Sequence, residues 1–187
     1  MTYRKPIDEL TEILTAFFRT SETVFEDVLD AVIGCLRSGR KILIFGNGGS
    51  AAEAQHFAAE LVNKFQIARR ALPAIALTTD TSTLTSIGND ISFDQIFARP
   101  IEALGQKGDV AIALSTSGNS PNVIEAVKAA KEKGLVTIAL TGGGRGRLSE
   151  CADFLLEVPS RSTPRTQEAH LFLLHLLAEA VDGRLAD

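Results

Sequence analysis

Short apolar stretches alternate with helical patterns from residue 41 to residue 183, and this alternation constrains the fold more than any other feature of the chain. Each stretch has the length and the Val, Ile and Leu content of a strand; the stretches are Lys41–Phe45, Pro73–Leu77, Asp109–Leu114, Leu135–Leu140 and Phe154–Val158. Helical patterns lie between and after them, at 50–65, 94–104, 121–133 and 165–183. Because the stretches are continuously apolar, we expect strands that are covered on both faces. The sequence therefore predicts a doubly wound α/β fold with a five-stranded parallel sheet flanked by helices.

The first forty residues precede this alternation and are predicted to form two amphipathic helices. Apolar residues recur at helical spacing in two sets, which are Ile7, Leu10, Ile13, Leu14 and Phe17, and then Phe25, Val28, Leu29, Val32 and Leu36. Gly39 closes the second helix. We expect one domain, with 1–39 as a helical extension and 40–187 as the α/β core. The extension could cap the sheet, but since the sheet already has its own helices we favour packing against another subunit.

Composition and charge exclude several classes of function. The net charge is −4, which argues against general nucleic-acid binding. No stretch approaches the roughly 18–20 apolar residues of a membrane span, and the first ten residues lack the apolar core of a signal peptide. Cys35 and Cys151 lie far apart and outside any CxxC spacing, which excludes a disulfide scaffold and a thiolate zinc site. We expect a cytoplasmic enzyme or binding protein that holds any anionic ligand with backbone amides.

A glycine-rich loop, 46–50, follows the first predicted strand and opens a helix. Exposed amides at such a helix start can hold an anion. Gly46, Gly48 and Ala51 also satisfy the GxGxxA pattern of dinucleotide-binding proteins, which requires an acidic residue about 20 positions further on. The nearest candidate, Asp80, lies 29 residues after Ala51. A strand-to-helix turn that merely needs glycine explains the loop equally well, so the motif is weak evidence by itself.

A second loop, 115–120, follows the third predicted strand and is rich in hydroxyl groups. Its hydroxyl residues are Ser115, Thr116, Ser117 and Ser120. Pro121 then opens a helix, where its missing N–H costs nothing. One hydroxyl would suffice to cap the helix, whereas four neutral donors at a helix start suit a phosphate monoester. The loop therefore predicts a phosphate site.

Five segments together resemble the sugar isomerase (SIS) domain family. They are FGNGGSAAEAQHFAAEL, LPAIALTTD, IGNDISFDQIF, GDVAIALSTSGNSPNV and RTQEAHLFLLH, in this order from about Lys41 to the carboxyl terminus. Within the family, the chain is most similar to the isomerases of seven-carbon sugar phosphates. The resemblance implies a flavodoxin-like SIS fold and the conversion of sedoheptulose 7-phosphate to D-glycero-D-manno-heptose 7-phosphate through an enediol, on the way to ADP-heptose and lipopolysaccharide. It also implies a cytoplasmic homotetramer with active sites shared between subunits.

The same resemblance assigns roles to individual residues. Glu60 falls at the position of the catalytic base and His175 at that of the acid, and in a shared site the two can come from different chains. The implied substrate-binding residues are Asn47, Gly48, Ser50, Asp90, Ser115, Thr116, Ser117, Ser120 and Gln167. From pattern by itself, Glu60 would be a solvated helical side chain and His175, in an almost wholly apolar helix, a core histidine. Aldose–ketose isomerisation needs a base over C1 and C2 and an acid at their oxygens.

A zinc ion is bound at this site in some relatives, and the matching residues are His56, Glu60, Gln167 and His175. Nitrogen and oxygen donors of this kind suit a divalent metal. His56 and Glu60 are four apart and share a helix face. A carboxylate bound to a dication is a weaker base, so Glu60 cannot serve both roles unchanged. The sequence leaves open whether metal is bound and whether it supports or inhibits activity; no nucleotide cofactor is expected.

Two further interpretations compete with these assignments. A non-catalytic sugar-phosphate-binding regulator, such as a replication-initiation regulator of the same fold, would also contain the two loops. Such a regulator has no need of Glu60, Gln167 and His175 together, and their presence favours the enzyme. Asp90 could equally cap a helix or turn.

One position near the predicted site differs from the family pattern, and two nearby arginines have no role assigned to them. Pro164 stands where some relatives carry an aspartate, which puts one polar contact in doubt. Arg69 and Arg70 are expected to be solvated, with contact to an anion as the alternative.

Overall fold

The computed structural model describes residues 3–144 and 146–185, and helices alternate with strands along this part of the chain. In order, the elements are α1 (Arg4–Arg37), β1 (Ile42–Gly46), α2 (Gly49–Val62), β2 (Ala74–Ala76), α3 (Thr81–Asp90), α4 (Ala98–Leu104), β3 (Val110–Ser115), α5 (Pro121–Glu132), β4 (Val136–Gly142), β5 (Phe154–Val158) and α6 (Thr163–Leu185). Short 3₁₀ helices lie at Phe93–Gln95 and Arg147–Glu150. Within these residues, no helix is long and apolar enough to cross a membrane.

The strands form one parallel sheet in the order β2-β1-β3-β4-β5, which confirms the predicted five-stranded sheet. Ile42 at the start of β1 pairs with Ala74 on one side and with Val110 on the other. The chain leaves β1 toward β2 and then returns to the opposite side at β3. The strand order thus reverses between β1 and β3, and in open α/β sheets ligands bind at such a switch point, beyond the carboxyl ends of the strands.

Successive residues of the central strands supply two cores, one on each face of the sheet. Ile42 and Ile44 point into a core with α1, α2 and α6. Leu43 and Phe45 point into a second core, made with α4 and α5. Since β1 is buried along its whole length, its continuous apolar sequence is explained by burial on both faces.

The amino-terminal extension differs from the predicted pair of helices because α1 is one continuous helix of 34 residues. The segment joining the two apolar sets contains neither glycine nor proline, so nothing interrupts the hydrogen-bond ladder. Its carboxyl-terminal half is buried in the core of the same chain, as Val28 and Leu36 show. This half therefore caps the sheet, which was the alternative to packing against another subunit. Tyr3 and Ile7, near the start of the helix, are exposed. Gly39, at φ +68°, follows the helix end as predicted.

Helix α3 has no counterpart in the predicted elements. Its sequence, TSTLTSIGND, is rich in weak helix formers, and none of its residues is fully buried. The helix begins where the Asp80 carboxylate accepts a hydrogen bond from the Thr83 amide at 3.0 Å. The same carboxylate accepts the Thr83 hydroxyl at 2.6 Å. The Asp80 N-cap therefore begins this helix, and Leu84 and Ile87 pack, partly buried, against the second core.

Candidate active site

The glycine loop after β1 and the hydroxyl loop after β3 lie at the switch point of the sheet. A Cβ on Gly46 would stand 2.8 Å from the Leu114 carbonyl oxygen, so only glycine lets the end of β1 approach β3 this closely. The side-chain Nδ2 of Asn47 donates to Asn122 Oδ1 at 2.9 Å, and Asn47 Oδ1 accepts from Asn122 Nδ2 at 2.8 Å. Because Asn122 lies in the first turn of α5, this pair ties the glycine loop to the helix that follows the hydroxyl loop.

The hydroxyl loop converges on the start of α5, a helix of 12 residues. Ser115 and Ser120 place their Oγ atoms 3.0 Å apart. Ser120 occupies the N-cap position, yet its side chain makes no capping hydrogen bond. Ser117 Oγ accepts from the Asn119 amide at 3.1 Å. The hydroxyl groups are thus not consumed by capping, and they gather at the positive end of a helix dipole.

Glu60 and His175 meet within a single chain, together with His56. Glu60 lies near the end of α2 and its Oε1 is 2.9 Å from His56 Nε2 and 3.4 Å from His175 Nε2. The two Nε2 atoms are themselves 2.9 Å apart. Parallel packing of α2 beside α6 brings the three side chains together across 119 residues of sequence. No second subunit is needed to assemble this cluster.

The carboxyl group of Glu60 is shielded from water. Its side chain is 11% exposed, and Oε2 is buried with no hydrogen-bond partner in the part of the chain that the structure describes. Burial raises the pKa of Glu60 above its ordinary value, although the adjacent His56 and His175 oppose the rise. The ring of Phe65 stacks on His175 at 5.4 Å between centroids. A shielded carboxylate of this kind is a stronger base than a solvated one.

The same three atoms could serve as ligands of a divalent metal. Two imidazole nitrogens and one carboxylate oxygen converge with separations of 2.9–3.4 Å. A tetrahedral zinc ion about 2.0–2.1 Å from each ligand would require separations of about 3.3 Å. The donor set and its spacing therefore fit zinc. Gln167, the fourth predicted ligand, packs against Gly49 at the opposite end of α2.

The remaining predicted residues occupy three environments. Gly48 is exposed and Ser50 is buried in the first turn of α2. A cavity of about 390 Å³ opens against Asn47 and Gly48 and continues to Thr78, Thr85 and Phe93, which the sequence reasoning did not identify.

Asp90 is exposed at the end of α3 and lines a different depression of about 300 Å³ with Thr83 and Ser86. Its Oδ1 accepts a hydrogen bond from the side-chain Nδ2 of Asn89 at 2.7 Å. Within the hydroxyl loop, Thr116 is half-buried and Ser117 is exposed.

Two buried polar residues lie on the helices that carry the cluster, and the sequence did not single them out because their patterns are those of ordinary helix positions. Glu53 lies two turns before Glu60 on α2 and is only 8% exposed. Burial raises the pKa of Glu53 to about 7, against a hydrogen bond from Ser50 that lowers it. The core histidine of α6 is His170, which is fully buried, and burial lowers the pKa of His170 to about 4. The side chain of His175, by contrast, is 35% exposed.

Two charged residues have structural partners that replace their earlier interpretations. The prediction that Arg69 is solvated is wrong, because its side chain is 0% exposed and pairs with Asp182; Arg70 is exposed as expected. Asp80, the acidic residue considered for dinucleotide binding, caps α3. Its hydrogen bonds from Thr83 lower the pKa of Asp80, so helix capping accounts for this carboxylate.

The fold and the site together define a doubly wound α/β protein of the kind that holds its ligand at a topological switch point. A model of the SIS domain family matches residues 6–142. The chain is 49% identical over 174 residues to a phosphoheptose isomerase of Geobacter sp. strain M21, covering 93% of this chain and 91% of that protein. It is 50% identical over 184 residues to a phosphoheptose isomerase of Aquifex aeolicus, covering 98% and 96%. The structure of a phosphoheptose isomerase from Neisseria gonorrhoeae superimposes with a TM-score of 0.88 at 44% identity, covering 95% of each chain. The chain belongs to the SIS domain family and, within it, to the phosphoheptose isomerases.

Proposed function

We propose that the protein is an aldose–ketose isomerase that converts sedoheptulose 7-phosphate to D-glycero-D-manno-heptose 7-phosphate. The contact of the shielded Glu60 carboxylate with two imidazoles, His56 and His175, carries this proposal. These groups provide a base and an acid in one place, which is what the reaction requires. The family membership given above supports the seven-carbon sugar phosphate as substrate.

In the proposed reaction, Glu60 removes the proton from the carbon next to the carbonyl and returns it to the neighbouring carbon. The pKa of Glu60, raised by burial, makes the carboxylate a more effective base. His175 moves a proton between the oxygens of C1 and C2 as the enediol forms and collapses. Two protons change places within one molecule, so atoms and electrons balance without a redox partner.

The hydroxyl loop is proposed to hold the phosphate at the far end of the substrate. The Oγ atoms of Ser115 and Ser120 and the amides at the start of α5 provide neutral donors and a favourable dipole. Thr116 and Ser117 extend this donor set, and Asn47, Gly48, Ser50, Asp90 and Gln167 are proposed contacts of the sugar chain. Anchoring at the phosphate would fix C1 and C2 over the carboxylate.

A zinc ion is proposed as an optional occupant held by His56, Glu60 and His175. Gln167 packs against Gly49, so its side chain would have to reorient to become a further ligand. When bound, it would supply Lewis-acid polarisation of the sugar oxygens. Glu60 would then be a weaker base, since its lone pair is shared with the metal. Activity measured with and without chelator distinguishes support from inhibition.

Assembly and cellular role follow from the family resemblance and are likewise proposals. The exposed apolar residues Tyr3 and Ile7 at the start of α1 support packing against other subunits in a homotetramer. We propose a cytoplasmic enzyme that acts toward ADP-heptose and lipopolysaccharide.

The decisive experiment is incubation with sedoheptulose 7-phosphate in deuterated water, with NMR detection of exchange at C1 and C2. We expect exchange and product with the natural chain. Glu60→Gln should lower turnover by at least about 1,000-fold, because the base is lost, and should still bind the sugar phosphate. Glu132→Gln, at the exposed far end of α5, is the matched control and should retain full activity. Turnover by Glu60→Gln would refute the assignment of the base, and binding without exchange in the natural chain would favour a sugar-phosphate-binding regulator.

A further inference from the structure

A buried ion pair joins the end of α2 to α6 beside the His–Glu cluster. Arg69 Nε donates to Asp182 Oδ1 at 2.7 Å, and the two side chains are 0% and 1% exposed. The other carboxylate oxygen of Asp182 accepts the amides of Gln66 and Ile67 at 2.7 and 2.8 Å. Both oxygens of Asp182 are thus engaged, and the loop after α2 is fastened to α6.

The guanidinium of Arg69 extends this connection to the backbone that carries Glu60. Arg69 Nη2 donates to the Glu60 carbonyl oxygen at 2.9 Å, and Nη1 donates to the Leu61 carbonyl oxygen at 2.9 Å. These carbonyls belong to the last turn of α2, where a helix provides no donors of its own; the Leu61 carbonyl also accepts the Leu72 amide at 3.1 Å. A planar guanidinium can satisfy several acceptors at once, whereas an ammonium group cannot reproduce that fork.

The position of Asp182 on α6 connects the same pair to the second half of the cluster. Asp182 follows His175 by seven residues, which is two helical turns, so the two side chains lie on the same side of α6. One end of the ion pair is therefore attached to the backbone of Glu60 and the other to the helix of His175. The 3.4 Å separation of Glu60 Oε1 and His175 Nε2 depends on how α2 and α6 are placed relative to each other.

We propose that Arg69 and Asp182 are positioning residues that hold Glu60 and His175 in register for proton transfer. This inference rests on the proposed isomerase function, and it gives a role to an arginine that no substrate or metal could reach. An error of about 1 Å in such a register can cost about 100-fold in rate.

A second ion pair in the chain provides a matched control. Asp109 is 1% exposed and pairs with Lys41 at 2.6 Å. Its carboxylate also accepts two backbone amides, those of Lys41 and Gln106. The pattern of one cation and two amides is the same as at Asp182, but Asp109 precedes β3 and thus lies at the edge of the sheet opposite the loops.

The test compares Asp182→Asn with Asp109→Asn at a temperature where circular dichroism shows both to be folded. We expect kcat of Asp182→Asn to fall by about 100-fold while KM changes less than about threefold, because the phosphate contacts are untouched. Asp109→Asn should retain kcat within about twofold of the natural chain. Arg69→Lys keeps the positive charge but loses the fork to the two carbonyls, and we expect it also to lose kcat at nearly constant KM. Equal kcat in the two Asp→Asn variants would overturn the proposal.

Histidine side-chain NMR provides a readout that does not depend on turnover. The chain contains only three histidines, His56, His170 and His175, so the ring signals can be assigned by single replacements. We expect the signals of His56 and His175 to shift in Asp182→Asn and to stay in place in Asp109→Asn. Unchanged signals would refute the positioning role. If the natural chain proves inactive, the proposed function fails, and these ring signals still decide whether the ion pair sets the cluster.

Discussion

Replacing Glu53 with glutamine should change how the stability of the protein depends on pH. The Glu53 side chain is buried on α2, and its Oε2 has no hydrogen-bond partner among the described residues. Burial raises the pKa of Glu53 from 4.5 to about 7, since the charged form loses its hydration. Glutamine has nearly the same shape and cannot ionise, so the substitution removes the titration while preserving the packing.

The sign and size of the effect follow from the two pKa values of this carboxyl group. Below pH 4.5 the group is protonated in both the folded and the unfolded chain, and it imposes no pH-dependent cost. As pH rises from 4.5 to about 7 the unfolded chain ionises first, so the folded state becomes progressively less stable. Above pH 7 the full cost of the buried charge is present. A pKa shift of one unit corresponds to about 1.4 kcal/mol, so the rise from 4.5 to about 7 gives a cost of about 3 kcal/mol.

Urea denaturation at pH 5 and at pH 8, at one fixed protein concentration, measures this difference. At pH 5 the unfolded carboxyl is already partly ionised, so we expect the advantage of Glu53→Gln over the natural chain to grow by about 2.5 kcal/mol between the two pH values. Glu179→Gln, at an exposed position of α6, should show no such growth. An advantage that stays constant, or that shrinks as pH rises, would refute the argument from burial.

Two further substitutions test the loops. Ser120→Ala should raise KM for the sugar phosphate about tenfold through loss of a charge-assisted hydrogen bond. It should lower the free energy of unfolding by no more than about 1 kcal/mol, because the hydroxyl makes no capping bond and what is lost is its contact with Ser115 Oγ at 3.0 Å. An unchanged KM would contradict the phosphate role. Gly49→Ala would place a Cβ 2.5 Å from Gln167 Nε2 and should displace that amide. We expect kcat/KM to fall at least about tenfold with little change in melting temperature, and unaltered kinetics would show that Gln167 plays no part in the reaction.

Much of the fold could be predicted because burial on two faces leaves an unmistakable composition. The apolar stretch Phe154–Val158 is a strand with the predicted limits, and the other four strands differ by a few residues at their ends. Helix α3 was not predicted, since its two partly buried apolar residues, Leu84 and Ile87, are too few to give a clear apolar period. The continuity of α1 was missed because two apolar sets separated by the polar residues 19–23 resemble two helices, although no glycine or proline lies between them.

The candidate site shows the same division between local and tertiary information. The chain's sequence determines by itself that a hydroxyl-rich loop and a glycine loop follow buried strands, and that parallel strands bring such loops to one edge. The contact of His56, Glu60 and His175 is decided by the packing of α2 against α6, because no local rule relates side chains 119 residues apart. The burial of Arg69 was decided in the same way, since its partner Asp182 lies 113 residues further along the chain. Local sequence determines the helices, the strands and the loops between them, because spacing and burial leave a pattern in the residues. Which charged side chains meet at the site depends on which helices the sheet places side by side.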